Sequence, residues 1–464
     1  MVARGAVLAA LAGLAGLGLP ACSPSVGDCQ VRCAADTELC PDGQSCLEGM
    51  CRVEGASGSC DQAGDGDGGQ GDPDAGPPAL TVETQSGVTD GAPIFLAVQD
   101  GDGAWQPRAG AGPHVVPIDS GSYGVLYVCP IGDTYLVTFL YATLVEARTI
   151  VAACAEGDVG PAAIDVEVQS APDTPITVYA AHTVATGTPA TLPYLAATAH
   201  DVVVTSLDTD NSFYGWLIER DVTAAEPAPQ VTMSISDAVP PAWTGYSITG
   251  LTGGESLVDT EGIFLSDGGT SAALPTRDGA EYGAVAGGTT TGNDIHSLAT
   301  VTRQGDSIRL VRVMTRDPED LVLALPAAVG FDAPTFTDGP VEVRPTVPVT
   351  LPQGALAFTA SFDQVTDPPR AMSLFISAGW AEAVDASVWT MPDLSTVAGW
   401  DSAYGLQSGP LIDWTAGATS TNRSVDDLIE LVAVPCAQCR RFPRLDWDGR
   451  RDEYVGSAGT LGGP

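Results

Sequence analysis

The stretch Tyr123-Gly-Val-Leu-Tyr-Val-Cys129, followed after Pro130-Ile-Gly-Asp133 by Thr134-Tyr-Leu-Val-Thr-Phe-Leu-Tyr141, decides how the chain is read. Each run has the length of a strand, is rich in β-branched and aromatic residues, and stops at Gly, Pro or Asp. The pattern recurs on either side. Leu80-Thr-Val-Glu-Thr84, His114-Val-Val-Pro-Ile118 and Ala147-Arg-Thr-Ile-Val-Ala-Ala-Cys154 are also short, apolar or alternating, and bounded by turn residues. Helical periodicity is scarce, and its best candidate, Ser424 to Val432, is short.

Three blocks open alike, with Pro78-Ala-Leu-Thr-Val-Glu-Thr84, Pro161-Ala-Ala-Ile-Asp-Val-Glu-Val168 and Pro227-Ala-Pro-Gln-Val-Thr-Met-Ser-Ile235. A fourth strand-rich block follows Gly339. Spacings of roughly 65 to 110 residues suit β-sandwiches better than propeller blades, which repeat at about 40 to 50. The expected fold is mainly β: tandem antiparallel β-sandwiches, immunoglobulin- or transthyretin-like, over 79–158, 159–226, 227–335 and 336–464. A propeller or one large β-structure is the alternative topology.

Ahead of this body lie three segments of other character. Residues 61–78, Asp61 to Pro78, hold five Asp, three Pro and no aromatic residue, which describes a self-repelling spacer. Residues 22–60 hold Cys29, Cys33, Cys40, Cys46, Cys51 and Cys60 with almost no apolar residues, so cross-links must hold the module. Three bridges in one of fifteen connectivities are expected; a metal cluster is the rival reading, and no His accompanies these cysteines. Residues 1–21 carry one Arg, then an apolar run from Gly5 to Leu19, then the small Ala21, the plan of an export signal. The run falls short of the roughly 20 apolar residues a membrane-spanning helix needs.

Leu19-Pro20-Ala21-Cys22 resembles the lipobox of bacterial lipoproteins, although Pro20 departs from its usual small residue. The resemblance implies cleavage before Cys22 and a diacylglyceryl group on it, and Ser23 after it implies the outer membrane. Ordinary cleavage after Ala21 would leave Cys22 a thiol. The chain has 11 cysteines, and lipidating Cys22 leaves an even set. Cys40-Pro-Asp-Gly-Gln-Ser-Cys-Leu-Glu-Gly-Met-Cys-Arg52 is similar to the Dickkopf-like modules that follow the lipobox in deltaproteobacterial lipoproteins. Gln99 to Gln106 with Tyr123 to Cys129, and Pro392 to Gly409, look like segments of myxobacterial lipoproteins, a likeness that implies no activity.

Composition narrows the partners. Of 464 residues, 58 are Asp or Glu and 19 are basic, all 19 of them Arg, for a net charge of −39. Such a surface repels phosphate backbones and anionic headgroups, so nucleic acid is excluded as a partner and membrane contact falls to the lipid. Envelope components and glycans remain as partners.

Apparatus for chemistry is sparse. The sequence has no nucleophile elbow, Walker loop, dinucleotide fingerprint or HExxH, and His114, His182, His200 and His296 are never at metal-ligand spacing. Cys129 and Cys154 flank the Thr134–Tyr141 run and are expected to bridge; Cys436-Ala-Gln-Cys439 completes the pairing, with a redox CxxC as its rival. No cofactor is implied, except that Asp100 and Asp102, beside Gly101 and Gly103, leave room for a structural calcium. Five of the 8 tryptophans, Trp380, Trp389, Trp400, Trp414 and Trp447, fall near the C-terminus. Trp380 and Trp389 follow apolar strand patterns and read as core. Trp400 and Trp414 sit by Gly-rich turns and are the candidates for an exposed glycan platform. The function expected is that of a lipid-anchored surface protein with a structural or adhesive role and no catalysis. A glycan-binding module is the alternative, and a carboxylate-dependent hydrolase a more distant one.

Overall fold

The computed structural model describes residues 44–47, 50–53 and 78–462, less 85–91, 111, 132–133, 153, 155–160, 170–175, 182, 208–212, 278–280, 339–341 and 434–446. The chain divides into two compact units, residues 20–77 and the body from Pro78 onward. In the first, strands Gln44–Leu47 and Met50–Val53 pair as an antiparallel hairpin whose register sets Cys46 opposite Cys51. Cys22, Cys29, Cys33, Cys40, Cys60, Cys436, Cys439 and His182 lie outside the described residues, as do the side chains of Cys46 and Cys51.

The body is built of β-strands as the alternating patterns require, and one closure recurs in it. Ala79–Glu83 pairs in parallel with Thr149–Val151, Ala162–Gln169 with Gln230–Ser234, and Ala242–Thr249 with Leu321–Ala324. In each case the first strand of a segment meets its last, and four of the strands between them fold as a second layer while the rest join the first sheet. The second sandwich packs the sheet Ala190–Leu195, Ala162–Gln169, Gln230–Ser234 against the sheet Thr183–Thr186, Ile176–Ala180, Ala199–Leu207, Phe213–Thr223. This closure corrects the boundary expected at residue 226. The Pro227-led strand ends the second sandwich instead of opening the third, because an alternating strand after a proline shows its faces but not its partner.

Three of the four-stranded layers join edge to edge. Ser307–Thr315 pairs with Arg451–Gly462, from Ser307 opposite Ser457 to Val313 opposite Arg451. Arg370–Ser377 pairs in parallel with Thr134–Thr143, from Arg370 opposite Tyr135 to Ile376 opposite Tyr141. The result is one twelve-stranded sheet to which the third, fourth and first segments each give four strands. Only short strands stand at its ends, Ser271–Leu274 and Gln106–Pro107, which limits the exposed edge.

Successive side chains alternate between the two faces of this sheet, and the cores follow. Phe375 lies in one core with Leu80, Val116 and Ile150 of the sheet that covers the first segment. Its neighbours Leu374 and Ile376 lie in the opposite core with Val343, Val347 and Trp389 of the sheet that covers the fourth. Two short helices fill ends. Val425–Ala433 matches the run expected from Ser424; Ser424 caps it, its Oγ accepting from Asp427 N at 3.2 Å while its own N donates to Asp427 Oδ2 at 2.9 Å. Ala378–Ala383, not expected, starts where Ser377 Oγ accepts from Trp380 N at 3.1 Å. No helix among the described residues is long and apolar enough to cross a membrane.

Cys129 and Cys154 are disulfide-bonded. The bond does not tie two strands of one sheet. Cys129 belongs to the central sheet and Cys154 follows Thr149–Val151 of the covering sheet, so the bridge staples two layers through their shared core. Closing a loop of this length contributes about 3 kcal/mol in the chain-entropy description. Replacing both cysteines with Ala should lower unfolding free energy by about that amount, read by urea denaturation; an unchanged midpoint would show that packing alone holds the layers.

Candidate functional site

The segment from Met391 to Gly409, which contains the run singled out in the sequence, wraps the face of the central sheet where the first and fourth segments join. Backbone bonds anchor both ends: Met391 N donates to Pro345 O at 2.9 Å and Val343 N to Leu406 O at 2.9 Å. Buried Gln364 holds the return, its Nε2 donating to Gln407 O at 2.8 Å and its Oε1 accepting from Gln407 N at 2.7 Å. Asp401 caps the short turn Ser402–Tyr404 by accepting from Ala403 N at 2.9 Å, and Arg370 Nε donates to Ala403 O at 3.0 Å. Aromatic rings fill the space beneath. Trp400 meets Phe95 edge-on at 5.4 Å and Tyr404 at 5.6 Å, and Tyr404 meets Tyr135 at 5.3 Å.

Glu342 points into this assembly and is 7% exposed. Burial pushes its carboxyl up to about 7; Trp400 and Arg344 partly offset the rise, and Asp393 adds to it. Asp393 itself is exposed and held below the usual carboxylate range by the Ser395 hydroxyl and N–H. A carboxyl raised by burial, beside an indole and a second carboxyl that is lowered, is the environment of a general acid and its partner. The packing argues against that use. A Cβ on Gly405 would stand 2.3 Å from Glu342 Oε2, so only glycine lets the segment close on the carboxyl, and no space for a substrate remains between them. Glu342 is a buttress that can change charge near neutral pH.

The residues expected to bind ligands fall elsewhere than the sequence suggested. Trp414 is 6% exposed in the core with Trp380 and Trp389, which corrects its reading as a platform. Trp400 is half-buried, its ring engaged by Phe95 and Tyr404. Asp100 is spent on a turn, accepting from Asp119 N at 3.0 Å, Ser120 N at 3.1 Å and Ser120 Oγ at 2.6 Å, which leaves exposed Asp102 alone at the calcium position. His200 and His296 are buried; desolvation drives His296 down to about 4.

Sequence reasoning missed the ion pairs. Arg220 of the second segment donates to Asp201 Oδ2 at 2.7 Å and, across the boundary, to Asp294 Oδ2 at 2.7 Å and Thr289 O at 2.9 Å. Gly268 N donates to Asp201 at 2.8 Å from the third segment, so Asp201 and Arg220 rivet the two. Arg309 pairs with Glu255, both buried, and also donates to Pro326 O and Gly250 O; this holds Glu255 down at about 2. The available signal was arginine inside an apolar strand, as in Ser307-Ile-Arg-Leu-Val-Arg-Val-Met-Thr315.

No family model and no curated protein matches the chain. Among solved structures, the chicken CNTN1 FN1-FN3 domains are similar at 7% identity and a TM-score of 0.14, over 54% of this chain and 86% of that one. MucB in complex with MucA(peri) is similar at 10% identity and a TM-score of 0.09, over 64% and 92%.

Because Glu342 holds its proton more tightly folded than unfolded, it makes the protein lose stability as pH rises from 4.5 to about 7. Above that range its charge costs on the order of 3 kcal/mol. Glu342→Gln should therefore stabilise the protein at pH 8 and leave it nearly unchanged at pH 4, measured by denaturant unfolding at both. A variant with the wild-type pH dependence would remove Glu342 from this role.

Proposed function

We propose that this protein is a lipid-anchored envelope protein that acts as a rigid scaffold, with a structural or adhesive role and no catalytic chemistry. The observation that carries the reading is the edge-to-edge union of three four-stranded layers into one sheet. Tandem modules that only touch can hinge, whereas modules sharing a continuous hydrogen-bonded sheet hold a fixed spacing, which suits bearing load or presenting a surface. The lipobox-like run ending at Cys22 supports the tether, and the acidic spacer would hold the body off the membrane. Cys22→Ser, expressed in a Gram-negative host, should move the protein from the membrane pellet to the soluble periplasmic or secreted fraction. A variant that pellets like wild type would end the lipid-anchor reading.

A second reading, a glycan-binding surface module, is favoured by one residue that the sequence did not suggest. Tyr194 is 65% exposed and sits at φ 61°, a conformation that bulky residues rarely adopt. The register between Ala162–Gln169 and Ala190–Leu195 slips beside it, and the ring stands exposed at this bulge. Strain that displays an apolar ring is a feature of binding surfaces. On a glycan array, Tyr194→Ala should abolish binding while leaving the melting temperature unchanged. Binding indifferent to the change, or none by the wild type, would leave the scaffold reading alone.

A further inference from the structure

Arg312 stands inside the strand Ser307–Thr315 and is 3% exposed, yet its guanidinium has no hydrogen-bonded acceptor among the described residues and its Nε is fully buried. Arg450, 2% exposed, gives its Nε to both oxygens of Asp452, at 2.9 and 3.0 Å, and lies over the Trp447 ring at 4.9 Å; its buried Nη2 is left without an acceptor. Thr419, also 3% exposed, has an unpartnered Oγ. The registers place the three on adjacent strands, in successive side-chain rows. Arg312 is opposite Asp452, which is opposite Thr421; one side-chain row away, Leu310 is opposite Tyr454, which is opposite Thr419. Met314 N donates to Arg450 O, which puts Arg450 in the adjoining row. By the alternation of side chains, all of these residues share one face of the sheet.

These unmet groups are all hydrogen-bond donors, and two of them carry charge. Asp452 neutralises one arginine; the next carboxylate in line, Glu261, is exposed on the far side of Ala299. Burial and the neighbouring Arg450 charge push Arg312 below its ordinary value, against the pull of Asp452 and Glu261. Two other inward arginines are better served: Arg309 and Arg220 each have a carboxylate partner and backbone acceptors. With 58 acidic residues available, a buried guanidinium left open is a cost that an external acceptor would relieve. We propose that Arg312, Arg450 and Thr419 form a binding site for a small oxyanion, a phosphate or a carboxylate. Guanidinium N–H groups match such oxygens in pairs, and the threonine hydroxyl supplies a third donor.

The test is thermal unfolding of the full chain titrated with sodium phosphate, sodium sulfate or sodium acetate, each against sodium chloride at matched ionic strength. The expected result is a saturable rise in melting temperature with at least one oxyanion, and which one it is separates phosphate from carboxylate. Arg312→Gln should raise the half-saturating concentration by about tenfold or more. Thr419→Val, nearly isosteric, should raise it by about threefold and serves as the control if Arg312→Gln does not fold. No saturable rise with any of the three, or a rise equal in wild type and both variants, would overturn the proposal.

Discussion

A strand at the edge of a sheet carries a row of N–H and C=O groups that must find partners, and the architecture here follows from how those edges are spent. Each sandwich has a four-stranded layer with two edges. The third and fourth segments pair antiparallel through Ser307–Thr315 and Arg451–Gly462, and the fourth and first pair in parallel through Arg370–Ser377 and Thr134–Thr143. Seven residues of each strand take part in each joint. Fusion removes four edges that would otherwise invite association with other chains. It also places the first and fourth segments side by side, so the connections of the fourth become the cover for the first.

That adjacency explains the aromatic distribution. The face of the first segment turned away from its own covering sheet presents Phe95, Phe139 and Tyr141. Such a surface needs large apolar partners, and the fourth segment supplies Trp380, Trp389 and Trp400 to it. Four of the five late tryptophans are therefore the wall of a shared core, and Trp447 lies in the opposite one. Glu342 is caught in the same wall, and its environment is a by-product of that packing: a carboxyl that keeps its proton near neutrality because aromatic rings exclude water from it.

Charge is used in two ways. Among the described residues the acidic excess lies mostly on the surface, where water screens it. A few of the scarce arginines go inward. Arg220 ties the second segment to the third, Arg309 neutralises Glu255 within the third, and Arg450 holds Asp452 beneath Arg312 at the joint with the fourth. A guanidinium can satisfy several acceptors at once, so a few arginines can stiffen several boundaries. The strand Ser307–Thr315 carries Arg309 on one face and Arg312 on the other, and their unlike surroundings separate a closed ion pair from an open group of donors.

Strand positions were legible in the sequence because alternation, β-branched content and Gly or Pro punctuation are local properties; Tyr123–Cys129 and Thr134–Tyr141 lie in strands as read. The bond between Cys129 and Cys154 and the helix after Ser424 were legible for the same reason, since spacing and caps are written in neighbouring residues. Partners in space were not. That Gln230–Ser234 closes the second sandwich, that Trp414 is core, and that burial raises the Glu342 carboxyl each depend on which distant backbone lies alongside. The sequence by itself determined the β character of the chain and its acidic composition. Only the tertiary structure decided which strands share a sheet and which donors lack acceptors, because hydrogen bonding between strands and desolvation at a core are set by residues hundreds of positions apart.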